Sequence, residues 1–304
     1  MARIAIIGVG AIGGVIAALL RQAGRHDLTL CVRRPLESLT VETPEGPVRI
    51  RAGVEAAVAA DPAEVSAVDW VIVATKAYDA AVAARWFDRL RVAGNPGTTG
   101  APVAVLQNGV EHRERFAPYV PLASILPVVV NCPAERESPE RVRQRGPMHL
   151  TAPDNDLGRS FVDLFAGTPA DAVVVPDFTS VAWRKLCHNA AGVLSALLLQ
   201  PAGVMRGEAV GETALQIVRE CAAVGRAEGA HLDEDVAEAV LRAYRAAPVD
   251  GVNSLHADRA AGRPMEIDAR NGVIVRRGKK HGIPTPCNQM AVALLEAMAS
   301  TKAD

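Results

Sequence analysis

The sequence predicts an α/β protein whose N-terminal half is a doubly wound sheet of Rossmann type and whose C-terminal half is all-helical. Short apolar runs alternate with longer helical stretches up to about residue 178, which is typical of a parallel sheet with crossover helices. A glycine-rich loop directly follows the first of these runs. Beyond residue 178 long helical stretches replace the alternation, so we expect two domains, 1–178 and 179–304.

The apolar runs of the first half are predicted to be strands because they are rich in Val and Ile. They show no alternation of apolar and polar residues, which is typical of strands that helices cover on both faces. The predicted strands are Arg3–Ile7, 28–32, 70–75, 103–106, 125–130 and 172–175.

Two segments of the first half depart from this alternation. Residues 39–54 have Thr-Pro-Glu-Gly-Pro at their centre, which indicates a hairpin or an irregular excursion from the sheet. Residues 133–156 are rich in Pro, Arg and Glu, and we expect edge strands around 149–151. The sequence assigns no role to either segment.

The second half carries apolar residues at helical spacing, separated by short turns. This pattern predicts helices, and glycines such as Gly229 mark their ends. The predicted helices cover 180–199, 208–229, 233–247 and 286–299.

Composition and charge favour a small-molecule partner. The formal net charge is −1 and the basic residues are dispersed, so no surface for nucleic acid or an anionic membrane is expected. No apolar run approaches the roughly 18 residues that span a bilayer. The first residues lack the pattern of a signal peptide, and the five scattered cysteines contain no C-x-x-C pair, which argues against a disulfide framework and a zinc site. We therefore expect a cytoplasmic protein without a metal centre.

The glycine-rich loop has the G-x-G-x-x-G pattern of dinucleotide-binding domains. It comprises Gly8, Val9, Gly10, Ala11, Ile12 and Gly13, and it joins the first strand to the helical stretch 11–23. In this motif the first glycine permits a tight turn, the second admits the pyrophosphate and the third allows the helix to pack on the strand. The unpaired N–H groups at the helix start then favour the phosphates, so the loop predicts a nucleotide cofactor.

Two arginines indicate which nucleotide the loop binds. About 20 residues beyond the loop, an NAD-binding domain usually has an acidic residue that accepts hydrogen bonds from the ribose 2′-hydroxyl. This chain has Arg33 and Arg34 at that place, although adjacent arginines are also common in solvated loops. Guanidinium groups form charge-assisted hydrogen bonds with a 2′-phosphate, so we expect NADPH rather than NADH.

Four further groups of residues follow in order along the chain, each at a strand end or in a predicted helical stretch. They are Thr75-Lys76-Ala77, Gln107-Asn108-Gly109, Trp183-Arg184-Lys185-Leu186 with Asn189, and Ser254 with Glu266-Ile267-Asp268. Together with the glycine loop, and in this order and spacing, they resemble the ketopantoate reductase family, also called 2-dehydropantoate 2-reductases, over nearly the whole chain.

The resemblance implies that hydride from NADPH reduces the ketone of ketopantoate to pantoate, a step of pantothenate biosynthesis. It also implies that the second domain is similar to the all-α domain of 6-phosphogluconate dehydrogenase and that the site lies between the domains. Lys185 occupies the position of the family's general acid, whereas its spacing alone indicates only a lysine on an amphipathic helix.

The other site residues also come from matched positions. Glu266 matches a carboxylate that helps to hold substrate and lysine, and Asn189, one turn after the lysine, matches an amide that contacts the substrate. Ser254 matches the hydroxyl that binds the substrate carboxylate, although a serine there could simply cap a helix. Lys76 and Asn108 follow strands and match residues near the nicotinamide and the substrate. With Glu266, these two are therefore expected to contact the cofactor as well.

Two departures from the family pattern leave the substrate open. Val193 stands where the family has a second helical Asn, and Gly251 stands where its characteristic enzyme has another, with Asn253 as a possible substitute. Lost hydrogen-bond donors reduce discrimination for a polar substrate. The alternatives are therefore a reductase of another 2-oxo acid or an imine on the same fold, or an NADPH-binding sensor without turnover. The apolar helical faces are also compatible with a homodimer.

Overall fold

The computed structural model describes residues 1–92 and 100–300, and these residues form two compact units. The first unit contains Met1–Gln107 and His112–Phe178, and the second contains Asn108–Glu111 and the chain from Thr179 onward. Residues 108–111, which the sequence places in the first domain, therefore pack with the second unit.

The described strands all belong to the first unit. In chain order they are β1 (Arg3–Ile7), β2 (Asp27–Cys31), β3 (Ser38–Thr43), β4 (Gly46–Arg51), β5 (Ala57–Ala59), β6 (Trp70–Val73), β7 (Val103–Val105), β8 (Ile125–Pro127), β9 (Val129–Asn131), β10 (Ala134–Ser138), β11 (Arg141–Gln144), β12 (His149–Pro153) and β13 (Asp171–Val175).

The central sheet is parallel and has the order β5-β2-β1-β6-β7-β8, which is the doubly wound order of a Rossmann domain. Its strands are buried on both faces, as their composition predicts. Ile4 and Ile6 belong to one apolar core, whereas Ala5 and Ile7 of the same strand belong to the core on the other face. The predicted fold class is confirmed, although the short strand β5 escaped sequence analysis.

Two predictions about the later strands are wrong in their placement. The run 125–130 divides into β8, in the central sheet, and β9, which joins β12 and β13 in a separate three-stranded sheet. β12 is the middle strand of that sheet and not an edge strand. The reason is backbone pairing: β12 is parallel to β13 on one side and antiparallel to β9 on the other, so its hydrogen-bonding groups have partners along both edges.

The predicted hairpin at 39–54 is confirmed as β3 and β4. It pairs with β10 and β11 in a four-stranded sheet of order β10-β11-β3-β4. This sheet packs on the first helix, where Val142 lies so close to Gly14 that an added Cβ would be 3.0 Å from Val142 Cγ2.

The helices of the first unit are short except for the first. This helix covers the predicted range and ends at Gly24, whose left-handed φ of 63° terminates it. The α-helices are α1 (Ala11–Ala23), α2 (Ala80–Ala84), α3 (Phe87–Leu90), α4 (His112–Phe116) and α5 (Asp156–Leu164), with 3₁₀ turns at Pro62–Glu64, Ala77–Asp79 and Leu122–Ser124.

The regular elements of the second unit are all helical within its described residues, as predicted. The predicted helix 180–199 breaks at Gly192, and a π-helical turn precedes α11. No helix in the described ranges is long and apolar enough to cross a membrane. The α-helices are α6 (Phe178–Ala191), α7 (Val193–Leu198), α8 (Glu208–Ala227), α9 (Val236–Ala246), α10 (Ser254–Ala260), α11 (Val273–His281) and α12 (Pro286–Ser300), with the 3₁₀ turn Ala202–Arg206 and the π-helical turn Asp268–Gly272.

A buried polar network holds α12 in the second unit. The carboxylate of Glu220, on α8, accepts hydrogen bonds from the backbone N–H groups of Cys287 and Asn288 at 2.9 and 3.0 Å, and so caps the start of α12. Asn288 is fully buried, and its Nδ2 also donates to Glu220 at 2.7 Å. Its Oδ1 accepts from Asn271 Nδ2 at 2.9 Å. The network thus joins α8, α12 and the π-helical turn.

We expect Asn288→Ala to lower the free energy of unfolding by about 2 kcal/mol or more, because it leaves buried hydrogen-bonding groups without partners. Urea unfolding followed by circular dichroism measures this change. Gln289→Ala, at the exposed neighbouring position, is the matched control and should change stability by less than about 0.5 kcal/mol. Equal stability of the two variants would contradict the prediction.

Candidate active site

Two glycines of the loop are required by close contacts between backbone atoms. Gly8 has a φ of 92°, and a Cβ there would lie 2.7 Å from the backbone N of Thr75. A Cβ on Gly13 would lie 2.2 Å from the carbonyl oxygen of Gly8. The loop therefore closes tightly onto the ends of β1 and β6.

Gly10 differs from its neighbours, since a Cβ there would have no described atom within 4 Å. It is the N-cap of α1, and within the described residues no side chain caps this helix start and no acidic residue lies in its first turn. The N–H groups and the positive end of the helix dipole are thus left for an anion. This open position beside an uncapped helix fits the pyrophosphate of a dinucleotide.

Arg33 and Arg34 lie two and three residues beyond the end of β2, and both are exposed. A third arginine, which sequence analysis missed, lies near the loop: Arg136 Nη1 donates a hydrogen bond to the carbonyl oxygen of Val9 at 2.7 Å. It belongs to β10, in the segment whose pairing could not be predicted. A single arginine in a region rich in arginine and glutamate gives no signal in the sequence.

Lys76 lies in the first unit, where it precedes the 3₁₀ turn Ala77–Asp79. The amide of Gln107 fixes this corner, because its Nε2 donates to the carbonyl oxygen of Lys76 at 3.1 Å and to Thr75 Oγ1 at 3.0 Å. Thus Lys76 belongs to the unit with the glycine loop and the two arginines. The other predicted site residues belong to the second unit; they are Asn108, Lys185, Asn189, Asn253, Ser254 and Glu266.

Lys185 lies on α6, within a largely buried environment. Burial, and then the positive charge of Arg270, lower the pKa of this lysine from its usual 10.5 to about 8. An ammonium with a pKa near 8 remains mostly protonated at neutral pH and gives up its proton more readily than an exposed lysine does. Its environment therefore suits a proton donor.

Three predicted site residues form one chain of hydrogen bonds. Asn189 Nδ2 donates to Asn108 Oδ1 at 3.3 Å, and Asn108 Nδ2 donates to Glu266 Oε2 at 3.0 Å. Glu266 is only 5% exposed, so its carboxylate has little access to water. The structure thus joins residues from three distant parts of the sequence, and Asn189 lies one helical turn from Lys185.

A buried cation beside this chain was not predicted. Arg270, in the π-helical turn, is 2% exposed and donates through Nη2 to the carbonyl oxygen of Asn189. Burial lowers its pKa, and the charges of Tyr244 and Glu266 oppose that change. Its neighbours in the sequence, Ala269 and Asn271, give no sign that this arginine is buried.

Asn253 and Ser254 stand at the start of α10 and have different surroundings. Asn253 is the N-cap: its Oδ1 accepts from the backbone N–H of His256 at 3.0 Å, and its Nδ2 donates to the carbonyl oxygen of Gly192 at 3.0 Å. Ser254 is exposed. The capping role considered for Ser254 therefore belongs to Asn253, because the helix begins at Ser254 itself, one residue earlier than a Ser254 cap requires.

Val193 stands where the family has a second helical Asn. It is fully buried among the core residues of the second unit, so this position lies in the apolar core. Polar groups surround the preceding residue instead. A Cβ on Gly192 would lie within 3.0 Å of Tyr244 Oη, Arg270 Nη2 and Asn253 Nδ2. A side chain at 192 would displace these groups.

The chain matches two family models that together cover most of its length. Residues 4–156 match the model described as "Ketopantoate reductase PanE/ApbA", and residues 177–299 match "Ketopantoate reductase PanE/ApbA C terminal". The boundary between the two matched regions falls near the end of the first compact unit.

Similar proteins extend over the full chain. It is 49% identical to a 2-dehydropantoate 2-reductase of Caulobacter vibrioides, over 98% of this chain and 100% of that protein. It is 40% identical to a 2-dehydropantoate 2-reductase of Mycobacterium tuberculosis, over 97% of each chain. The solved structure of a PanE/ApbA family ketopantoate reductase from Ralstonia eutropha is 31% identical and superposes with a TM-score of 0.85, over 99% of this chain and 100% of that one.

The loop geometry predicts that one glycine substitution weakens cofactor binding and another lowers stability. We expect Gly10→Ala to keep the melting temperature within a few degrees, because its Cβ enters open space, and to weaken cofactor binding about tenfold or more, because the methyl group occupies the place of the pyrophosphate. Thermal melting and titration with NADPH measure the two effects.

Gly13→Ala is the matched comparison. We expect it to lower the melting temperature of the protein without cofactor, because its Cβ would lie 2.2 Å from the Gly8 carbonyl oxygen and force the loop to open. A stable Gly13→Ala variant, or a Gly10→Ala variant with normal cofactor affinity, would contradict this account of the loop.

Proposed function

The chain belongs to the ketopantoate reductase family and is an oxidoreductase that acts on a CH–OH group, and from this premise we propose that it reduces ketopantoate to pantoate with NADPH, as a step of pantothenate biosynthesis. The observation that carries the proposal is the lysine of lowered pKa beside the chain of Asn189, Asn108 and Glu266.

NADPH supplies the hydride that adds to the carbonyl carbon of the substrate. The residues that would hold it are the glycine loop, the start of α1 and the arginines after β2, with Lys76, Asn108 and Glu266 toward the nicotinamide end. As the new C–H bond forms, the C=O double bond becomes a C–O single bond, so the oxygen gains negative charge and requires a proton.

Lys185 is the proposed donor of that proton. Its ammonium stabilises the developing alkoxide electrostatically and then transfers a proton from Nζ to the oxygen, which completes the hydroxyl group. The desolvated site strengthens this interaction, since the attraction between opposite charges grows as water is excluded. The lysine then takes a proton from solvent before the next turnover.

Glu266 and the two asparagines are proposed to orient the substrate. Their hydrogen bonds run in one direction, from Asn189 to Asn108 and on to the buried carboxylate, so each amide has a defined rotation. Ser254 offers an exposed hydroxyl for the substrate carboxylate. The Asn253 amide already makes two structural hydrogen bonds and has one N–H left for the substrate.

A related substrate is the second candidate, and one observation favours it. Val193 is buried in the apolar core and Gly251 has no side chain, so two amides that the family uses are missing here. Another 2-oxo acid or an imine would use the same lysine with a different arrangement of polar contacts. The family resemblance nevertheless favours ketopantoate.

The experiment follows NADPH absorbance with the purified protein, ketopantoate and a panel of 2-oxo acids and imines. We expect the highest kcat/KM with ketopantoate. A higher kcat/KM with another compound would make that compound the proposed substrate and leave the assignment as a reductase unchanged. NADPH binding without turnover of any compound would favour a sensor and refute the enzymatic proposal.

Lys185→Ala tests the proton donor. We expect kcat to fall by a factor of about 10² to 10⁴, because the alkoxide loses both its stabilising charge and its proton source. Arg184→Ala is the matched control, since this neighbouring side chain on α6 is 50% exposed and is expected to leave kcat unchanged. An unchanged kcat in Lys185→Ala would remove the lysine from the mechanism.

The lowered pKa of Lys185 also predicts the pH dependence of ketone reduction. The acid must be protonated, so kcat/KM in wild type should be constant at neutral pH and decline as the pH rises through about 8. The residual activity of Lys185→Ala should lack this decline. A pH–rate profile of both proteins between pH 6 and 10 makes the comparison, and the same decline in both would assign it to another group.

A further inference from the structure

Arg136 is held against the glycine loop by hydrogen bonds to three carbonyl groups. Its Nη1 donates to Val9 at 2.7 Å, its Nε donates to Ser138 at 3.1 Å and its Nη2 donates to Pro139. The guanidinium thus connects the β10–β11 turn with the second residue of the loop. Because carbonyl groups are neutral, these bonds fix the position of the charge without cancelling it.

The strand is irregular at the residue that contacts the loop. The register between β10 and β11 shifts between Arg136 and Ser138, which is the irregularity of a β-bulge. A bulge changes the direction in which a side chain leaves the strand, and bulges are frequent next to functional sites. β10 also packs on α1, the helix whose start follows the loop.

Arg136 lies near a second cation. Burial and the positive charge of Arg33 both lower the pKa of Arg136. Three other arginines of the same hairpin, Arg141, Arg143 and Arg145, form ion pairs with glutamates. Within the described residues, no carboxylate forms an ion pair with Arg136 or Arg33. Two neighbouring cations repel one another, and an anion bound between them removes this repulsion.

The location identifies the anion. In a Rossmann domain the adenosine ribose lies between the glycine loop and the end of the second strand, where Arg33 stands. After its three bonds to carbonyl groups, the Arg136 guanidinium retains two N–H groups that can donate to another acceptor. A phosphate on the ribose accepts charge-assisted hydrogen bonds from such groups and neutralises both cations.

We propose that Arg136, together with Arg33, binds the phosphate on the 2′ position of the adenosine ribose of NADPH while it holds the carbonyl group of Val9. This inference rests on the proposed function, because it assumes that the protein uses NADPH. It adds a specificity residue from outside the central sheet to the arginines that follow β2.

The test measures nucleotide binding by isothermal titration calorimetry and uses no substrate. Wild type, Arg136→Met, Arg136→Lys and Arg33→Met are titrated with NADPH, NADH, 2′,5′-ADP and 5′-AMP. Arg145→Met is the matched control, because Arg145 is an exposed arginine of the same hairpin that pairs with Glu135.

We expect Arg136→Met to weaken binding of NADPH and 2′,5′-ADP about tenfold to a hundredfold, as for loss of charge-assisted hydrogen bonds, and to change binding of NADH and 5′-AMP by less than about threefold. Arg136→Lys should recover part of the loss, since it restores the charge without the fork of donors. Arg145→Met should bind all four nucleotides as wild type does.

Equal losses for NADPH and NADH in Arg136→Met would overturn the inference and leave Arg136 only as a clamp on the loop. Normal NADPH binding in Arg136→Met, with a loss in Arg33→Met, would also overturn it but would leave the proposed use of NADPH intact. A wild type that binds NADH as tightly as NADPH would instead refute the proposed cofactor, and the phosphate site with it.

Discussion

The carbonyl group of Gly8 lies so close to Gly13 that a side chain at position 13 has no room. This contact sets the angle at which α1 leaves β1, and with it the position of the helix start. The four-stranded sheet packs on the same helix, and Arg136 of that sheet holds the loop through Val9. The first unit is therefore organised around the approach of one helix to one strand.

The second unit buries charged groups, and the constraint there is the free energy lost when these groups leave water. Lys185 and Arg270 are both positive and both largely buried, and each arrangement is costly by itself. The buried carboxylate of Glu266 and the carbonyl group of Asn189 provide partial compensation. The remaining cost appears as the lowered pKa of the lysine, which is the property that the proposed proton transfer uses.

Much of the fold could be predicted because local patterns decide it. The range of α1 was obtained from the glycine motif and the apolar spacing, and the hairpin at 39–54 was obtained from its Pro-Gly turn. The placement of β9, β12 and β13 in a separate sheet could not be obtained in this way. Strand partners are chosen by backbone pairing between segments distant in the chain, and the short apolar content of β12 does not show which strands lie beside it.

Among the site residues, the sequence supplied the motifs and the structure supplied their connections. Spacing along one helix placed Asn189 one turn from Lys185, but only the fold showed that Asn108 joins it to Glu266. Arg136 and Arg270 carry no sequence signal, because an arginine is most often exposed and nothing local marks these two as fixed or buried.

The sequence by itself determined that strands and helices alternate in the first half, as in a Rossmann domain, and that the second half is helical. It also determined the family and the residues of the proposed site. All of these depend on short motifs and on periodicity. Only the tertiary structure decided that the glycine loop is tied to an arginine of a separate sheet and that the site lysine has its pKa lowered to about 8. Both depend on burial and on charges distant in the chain, and these arise only when distant segments pack together.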